Sequence, residues 1–389
     1  IRDSRCPDPV ASALGGNGAC CRPVPQGETG RLHMMSAPRL EIDLDKIYHN
    51  AHMLVDRLGQ RGISVTGVTK AALGSAEIAD TFLQAGVKGL GDSRIDNIET
   101  MRIGQRAALM TLIRSPMLSQ ARRIVRHADI SCNTEMEVVR RLSFEAQQAE
   151  RNHGVLFMVE LGDLREGIMP EDLLDCVRET LSLPNIDFKG IGTNLACRSG
   201  VAPDSLNMAI LTGLADLIET TFDLRVEIVS GGNSANLQWA LSGAKIGRIN
   251  DLRLGEAILL GCETLHRQPL DDLYTDAVTL TAEVIEAKVK PTLPSGQLAQ
   301  NAFGESTVME DRGEVIQAIL AIGRQDTDPD GLQAPAGIEV MGGSSDHLIL
   351  ESDSDDLPVG TEVTFQLNYS ALVRSMTCPY VTKRYCQLN

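Results

Sequence analysis

Aromatic side chains are scarce, at 3% of 389 residues with a single tryptophan, so the core has to be mostly aliphatic. No apolar run approaches the ~20 residues that span a bilayer, and no membrane partner is expected. Cations are also in deficit: 36 Lys and Arg against 52 Asp and Glu leave a net charge of −16. Binding to nucleic acid or to an anionic surface draws on clustered Lys and Arg, so neither is expected. The same charge gives a cationic substrate a weak long-range attraction. Neither a CxxC pair nor HExxH occurs, so no metal is expected. Cysteine is present, but not as a disulfide framework. Cys6, Cys20 and Cys21 fall in the first 35 residues, while Cys132, Cys176, Cys197, Cys262, Cys378 and Cys386 are scattered singly. An odd total without regular spacing reads as reduced thiols in a cytoplasmic protein.

What is there falls into three stretches. Residues 1–36 mix Pro, Gly, Cys and Arg with no period and lack the apolar segment of a secretory signal, which reads as a disordered extension. From residue 61 to 261, short apolar runs alternate with longer amphipathic ones. Strands are expected at 63–69, 87–91, 108–113, 129–133, 154–161, 187–194, 225–230 and 245–253. Helices between them include 75–85, 117–127, 135–151, 170–182, 203–222 and 235–242. Eight strand-then-helix units imply a parallel sheet that closes as a TIM-like (β/α)8 barrel. An open doubly wound sheet is the alternative, but no GxGxxG follows the first strand. After residue 265 the period changes to two, in Ala277–Ile285, Leu348–Leu350 and Val363–Leu367, separated by turn clusters at 328–331 and 352–356. This predicts a C-terminal antiparallel β domain. The boundaries are thus 37–265 for the barrel and 266–389 for the β domain.

Lys70 closes the first barrel strand candidate, Ile63-Ser64-Val65-Thr66-Gly67-Val68-Thr69-Lys70. The carboxyl end of a barrel strand is where such folds keep their chemistry. Desolvation there can strip the ammonium of its proton and leave a Schiff-base nucleophile; a solvated strand-end lysine is the plain alternative. Ile228-Val229-Ser230-Gly231-Gly232-Asn233-Ser234-Ala235-Asn236 reads as a strand, a glycine turn and a helix starting near Asn236. Exposed N–H groups at such a turn suit phosphate, although the same residues make ordinary turns. Leu252-Arg253-Leu254-Gly255-Glu256 puts an arginine at a further strand end.

With these segments in place, Pro38-Arg39-Leu40-Glu41-Ile42-Asp43-Leu44-Asp45-Lys46-Ile47-Tyr48-His49-Asn50 resembles the opening of the alanine racemase superfamily, the fold type III pyridoxal-phosphate enzymes. Ala321–Asp326, Ser344–Ile349 and Asn368–Leu372 resemble its ornithine racemase-like branch. The resemblance runs over roughly residues 37–385. It implies pyridoxal 5'-phosphate as cofactor, joined to Lys70. It implies phosphate contacts from Ser234, from the backbone at Gly255 and Glu256, and from Tyr369. It implies Arg253 on the pyridine nitrogen, Arg165 on the substrate carboxylate, and strand 38–43 joined to the β domain. A homodimer with shared active sites is implied too. The alternatives are a half-buried strand aromatic for Tyr369, an ion pair with Asp251 or Glu256 for Arg253, and a surface loop charge for Arg165.

Two positions depart from the family pattern. Asn301-Ala302-Phe303-Gly304 carries phenylalanine where the family's tyrosine, contributed across the dimer, serves as the second acid–base group. Asn194 replaces a family histidine. His347, beside Asp346, is the expected substitute, because imidazole titrates in the useful range; Asp346, Cys378 and water remain open. Asp346 itself matches an aspartate near the partner's site. The expected activity is amino-acid racemisation, on ornithine, another basic residue, alanine or serine. A non-catalytic or regulatory pyridoxal-phosphate carrier and a lyase on the same scaffold are the alternatives.

Overall fold

The computed structural model describes residues 36–306, 310–353 and 357–387. The extension expected over residues 1–36 lies almost entirely outside the described residues. Residues 37–389 form one compact unit that holds both the barrel and the sheet.

Strand β1 (Arg39–Asp43) runs directly into α1 (Leu44–Gly59), where Asp43 caps the helix by accepting the Lys46 N–H at 3.0 Å. The barrel then follows as β2 (Ser64–Val68), β3 (Gly89–Asp92), β4 (Met110–Leu112), β5 (Ile130–Asn133), β6 (His153–Met158), β7 (Ile186–Gly192), β8 (Ile228–Ser230) and β9 (Asp251–Leu254). Adjacent strands pair in parallel and β9 returns to β2, closing an eight-stranded barrel. Around it lie α2 (Ala76–Gln84), α3 (Ile95–Gly104), α4 (Ala121–His127), α5 (Met136–Gln148), α6 (Leu173–Ser182), α7 (Ser205–Phe222), α8 (Leu237–Leu241) and α9 (Glu256–Leu260). Most barrel strands are buried along their whole length, which explains why they read as apolar runs rather than as alternation.

Three of these helices were not among the expected ones. Two are α1 and the short α9; the third is α3, where only Ile95, Ile98 and Met101 turn inward, too short a stripe to stand out in the sequence. The strand expected at 245–253 shrinks to β9, because residues 245–250 form turns.

The second layer is antiparallel except where its last strand pairs in parallel with β1: β10 (Val278–Pro291), β11 (Glu314–Leu320), β12 (Leu332–Gln333), β13 (Ile338–Gly343), β14 (Leu348–Ser352), β15 (Glu362–Leu367), then α10 (Tyr369–Thr377) and β16 (Thr382–Cys386). The alternating patterns near 277–285, 348–350 and 363–367 fall on β10, β14 and β15. The expected turn at 328–331 is a short 3-10 turn at Pro329–Gly331, whereas 354–356 of the other turn cluster lies outside the described residues. Strand β1 pairs with β10 and β16, so the segment at 38–43 does join this sheet. Among the described residues no helix is long and apolar enough to cross a membrane.

Candidate active site

Parallel strands bring their carboxyl ends to one rim, and a cavity of about 560 Å³ opens there. Lys70 begins a single 3-10 turn (Lys70–Ala72) two residues beyond the end of β2. Its position is held from the next strand. Thr69 donates its N–H to Gly91 O at 2.9 Å and its hydroxyl to Asp92 Oδ2 at 2.9 Å. Asp92 is fully buried and also accepts the Arg94 N–H at 2.9 Å and the Asn97 amide at 3.0 Å. Burial pushes the Asp92 carboxyl up, against the pull of these bonds. The Lys70 side chain faces the open cavity, yet the surrounding walls depress its ammonium: desolvation dominates, Arg165 and Arg253 add to it, and Cys197 and Asp92 oppose it.

Arg253, 6% exposed, lies on β9 inside the barrel. Its Nη2 donates to Thr193 O at 2.7 Å and its Nη1 to Ser230 Oγ. Ser230 in turn donates to Asp251 Oδ2 at 2.5 Å, and Thr66 donates to Asp251 Oδ1 at 2.7 Å. The guanidinium is therefore fixed in orientation, with its countercharge one hydroxyl away. Neither of the direct ion pairs weighed as alternatives forms: Asp251 is reached through Ser230, and Glu256 pairs with Arg267.

Ser234 starts a 3-10 turn (Ser234–Asn236) after β8, capped by Asn233, whose Oδ1 accepts the Ala235 N–H at 2.7 Å. Gly232 precedes it at φ +139°, and a Cβ there would stand 2.3 Å from Asn236 Oδ1, so only glycine fits. Ser234 Oγ accepts the Ala257 N–H at 3.3 Å, joining the turn that follows β8 to the start of α9. Tyr369 reaches the same cavity from the β domain. It opens α10 rather than sitting on a strand, and Asn368 caps that helix at 2.9 Å from the Ala371 N–H. Burial pushes the Tyr369 phenol up to about 12, with Cys197 and Asp92 contributing, so it stays a protonated donor. Arg165, on the loop after β6, also lines the cavity and is paired with Glu166. Asn194 Oδ1 accepts from Asn233 at 3.1 Å, but its buried Nδ2 has no hydrogen-bond partner.

Comparison with known proteins now decides the family. The alanine racemase N-terminal domain matches residues 42–262, more than half of the chain. The chain belongs to the alanine racemase family. That family membership makes it one of the amino-acid racemases. It is 37% identical to an ornithine racemase of Acetoanaerobium sticklandii over 89% of this chain and 99% of that protein. It is equally 37% identical to a lysine racemase of Thermotoga maritima, over 90% and 99%. Among solved folds, alanine racemase from a D-cycloserine-producing Streptomyces lavendulae superposes with a TM-score of 0.71 at 17% identity, covering 91% of this chain and 98% of that one.

Of the residues expected in a family site, Lys70, Arg165, Ser234, Arg253, Gly255, Glu256 and Tyr369 all line the one cavity. Asp346 and His347 do not. They line a separate cleft on the β domain with Asp326 and Tyr380, where His347 Nδ1 lies 2.9 Å from Asp346 Oδ1. Phe303 is exposed, with the Arg324 guanidinium 4.6 Å over its ring, and the Arg324 N–H bonds Ser344 O at 2.9 Å. The family's tyrosine position and the Asp346–His347 turn thus share one region of the β domain. Cys197 and Asn233 line the cavity and were not expected there; their signal was position alone, just past the ends of β7 and β8. Cys378, another option for the second acid, is buried and donates to Asp326 Oδ1 at 3.2 Å, away from the cavity.

Proposed function

We propose that this chain is a pyridoxal-phosphate-dependent racemase of a basic amino acid, ornithine or lysine in kind. The observation that carries the reading is the convergence of a charge-depressed Lys70, a fixed Arg253, the Ser234 turn and the Tyr369 phenol on one cavity. The orphaned Asn194 Nδ2 fits the same picture, since a buried donor calls for an acceptor on a bound group. When bound, pyridoxal phosphate supplies an aldehyde for an amine and an electron-withdrawing ring that acidifies the substrate's α-proton.

The chain's own residues divide the remaining tasks. Lys70 Nζ, with its ammonium form disfavoured, is available to bind the cofactor and to take a proton at one face. Ser234, the backbone at Gly255 and Glu256, and Tyr369 Oη would hold the phosphate. Arg253 would offer a permanent cation to the ring nitrogen of a bound cofactor, opposing its protonation and tempering the electron sink. Arg165, which lines the cavity, would meet the substrate carboxylate. The similarity to ornithine and lysine racemases and the charge of −16 support a basic side chain over alanine or serine. A homodimer belongs to the proposal, with the β domain of each copy closing the other's cavity against water.

The test is turnover of both enantiomers of ornithine, lysine, alanine and serine, followed by chiral chromatography with and without added pyridoxal phosphate. Cofactor-dependent loss of enantiomeric excess, fastest with a basic substrate, is expected. Absence of racemisation across the panel with cofactor bound would sink the proposal in favour of a non-catalytic carrier. Faster turnover of alanine would reject the basic substrate alone.

A further inference from the structure

Racemisation needs an acid–base group on each face of the substrate's α-carbon, and Phe303 has no proton to give. We propose that Cys197 is the acid–base residue for the face turned away from Lys70. The inference rests on the racemase reading and adds a residue to it.

Topology sets the two groups against each other. Around the closed barrel β2 neighbours β9, β9 neighbours β8, and β8 neighbours β7. Lys70 follows β2 and Cys197 follows β7, while Ser234 and Gly255 follow β8 and β9 on the rim between them. Amine and thiol therefore flank the anion pocket from its two sides. Both line the same cavity, and the thiol is exposed to it.

The thiol is also held in place. Fully buried Asp163 accepts the backbone N–H groups of Cys197 at 3.2 Å, Arg198 at 3.0 Å and Ser199 at 3.0 Å, and its carbonyl accepts Ser199 Oγ at 2.7 Å. The Asn233 amide donates to Cys197 Sγ at 3.2 Å. Lys70 and Arg165 both stand within electrostatic reach of the sulfur. The amide donor fixes where the sulfur points, and the Asp163 contacts fix the backbone that carries it. His347, by contrast, lines the other cleft, and only a second copy could bring it to a barrel mouth.

The proton balance is simple. In one direction Lys70 Nζ takes the α-proton and Cys197 Sγ–H gives one to the opposite face, leaving an ammonium and a thiolate. Turnover in the reverse direction, or passage of the proton from Nζ to Sγ through solvent, restores the start.

Two measurements test this on the full-length protein loaded with cofactor. The first needs no turnover: alkylation by iodoacetamide, mapped by mass spectrometry. Cys197 should react fastest of the described cysteines at pH 7, and several-fold more slowly in Arg165→Ala. A Cys197 no faster than buried Cys132 would overturn the proposal. The second follows deuterium uptake at the α-carbon from each enantiomer separately. Cys197→Ser should lose exchange from one enantiomer by roughly 10²-fold or more and retain it from the other. Equal, wild-type exchange from both enantiomers in Cys197→Ser would overturn it, and a one-sided loss in His347→Asn instead would assign the role to the partner's His347. Failure of the wild type to exchange either enantiomer of any amino acid tried would remove the racemase reading and this inference with it.

Discussion

Thr69 Oγ1 donates a 2.9 Å hydrogen bond to Asp92 Oδ2, so the residue before Lys70 is tied to the end of the neighbouring barrel strand. The bond fixes where the turn begins, and the Asp92 carboxylate opposes the loss of the Lys70 proton.

Replacing that carboxylate should therefore have two separable effects. Asp92→Ala leaves the buried Thr69 hydroxyl and Asn97 amide without their acceptor and should cost about 1–3 kcal/mol of stability. Asp92→Asn keeps the shape, removes the charge and should move Lys70 titration further down. The pH profile of reductive methylation at Lys70, read by peptide mass, checks this. An unchanged or raised midpoint in Asp92→Asn would show that the aspartate does not act on the amine.

Lys70 should be the one lysine that traps the cofactor. Borohydride added to the protein with pyridoxal phosphate is expected to leave a single adduct, on the peptide holding Lys70. Lys70→Ala should yield none. An adduct spread over Lys46, Lys88 or other lysines would remove the basis for placing the cofactor in this cavity.

His153 predicts a pH dependence of stability. It is fully buried on β6, with Nε2 2.8 Å from Ser131 Oγ, and burial pushes it down from 6.5 to about 4. Between those values the unfolded chain binds the proton and the folded one does not. Stability then rises with pH across this window and is lost as pH falls through it, by up to about 3 kcal/mol from this one group. Urea titrations at pH 7 and pH 4.5 should show a smaller difference for His153→Gln than for the wild type. An equal difference in the two would assign the acid sensitivity to other groups.

Gly190, at φ +143° on β7, approaches β8 so closely that an added Cβ would stand 2.0 Å from Ile228 O. Backbone cannot yield there as a flexible side chain would. Gly190→Ala should cost roughly 3 kcal/mol or more, whereas Gly213→Ala on α7, whose Cβ meets nothing within 4 Å, should stabilise by about 0.5–1 kcal/mol. A melting temperature for Gly190→Ala within a degree of wild type would show that the β7–β8 contact is looser than described.

Much was legible along the chain because it depends on near neighbours. Period and length gave eight buried strands with helices between them, and the switch to alternation after residue 265 marked a sheet with one buried face. Lys70 stood out because it follows an apolar run directly, and the Gly-Gly-Asn-Ser turn because its backbone requirements are written in its residues. Strands β11, β13 and β16 and helix α3 went unread, since each is short or mixes polar residues into its inward face. Pairing and meeting were another matter. That β1 lies between β10 and β16, that Tyr369 opens a helix over the cavity, that Cys197 faces it and that His347 does not all follow from barrel closure and sheet register. Those are contacts between residues far apart in the chain, fixed only when the whole set of strands closes, and no local pattern of side chains carries them.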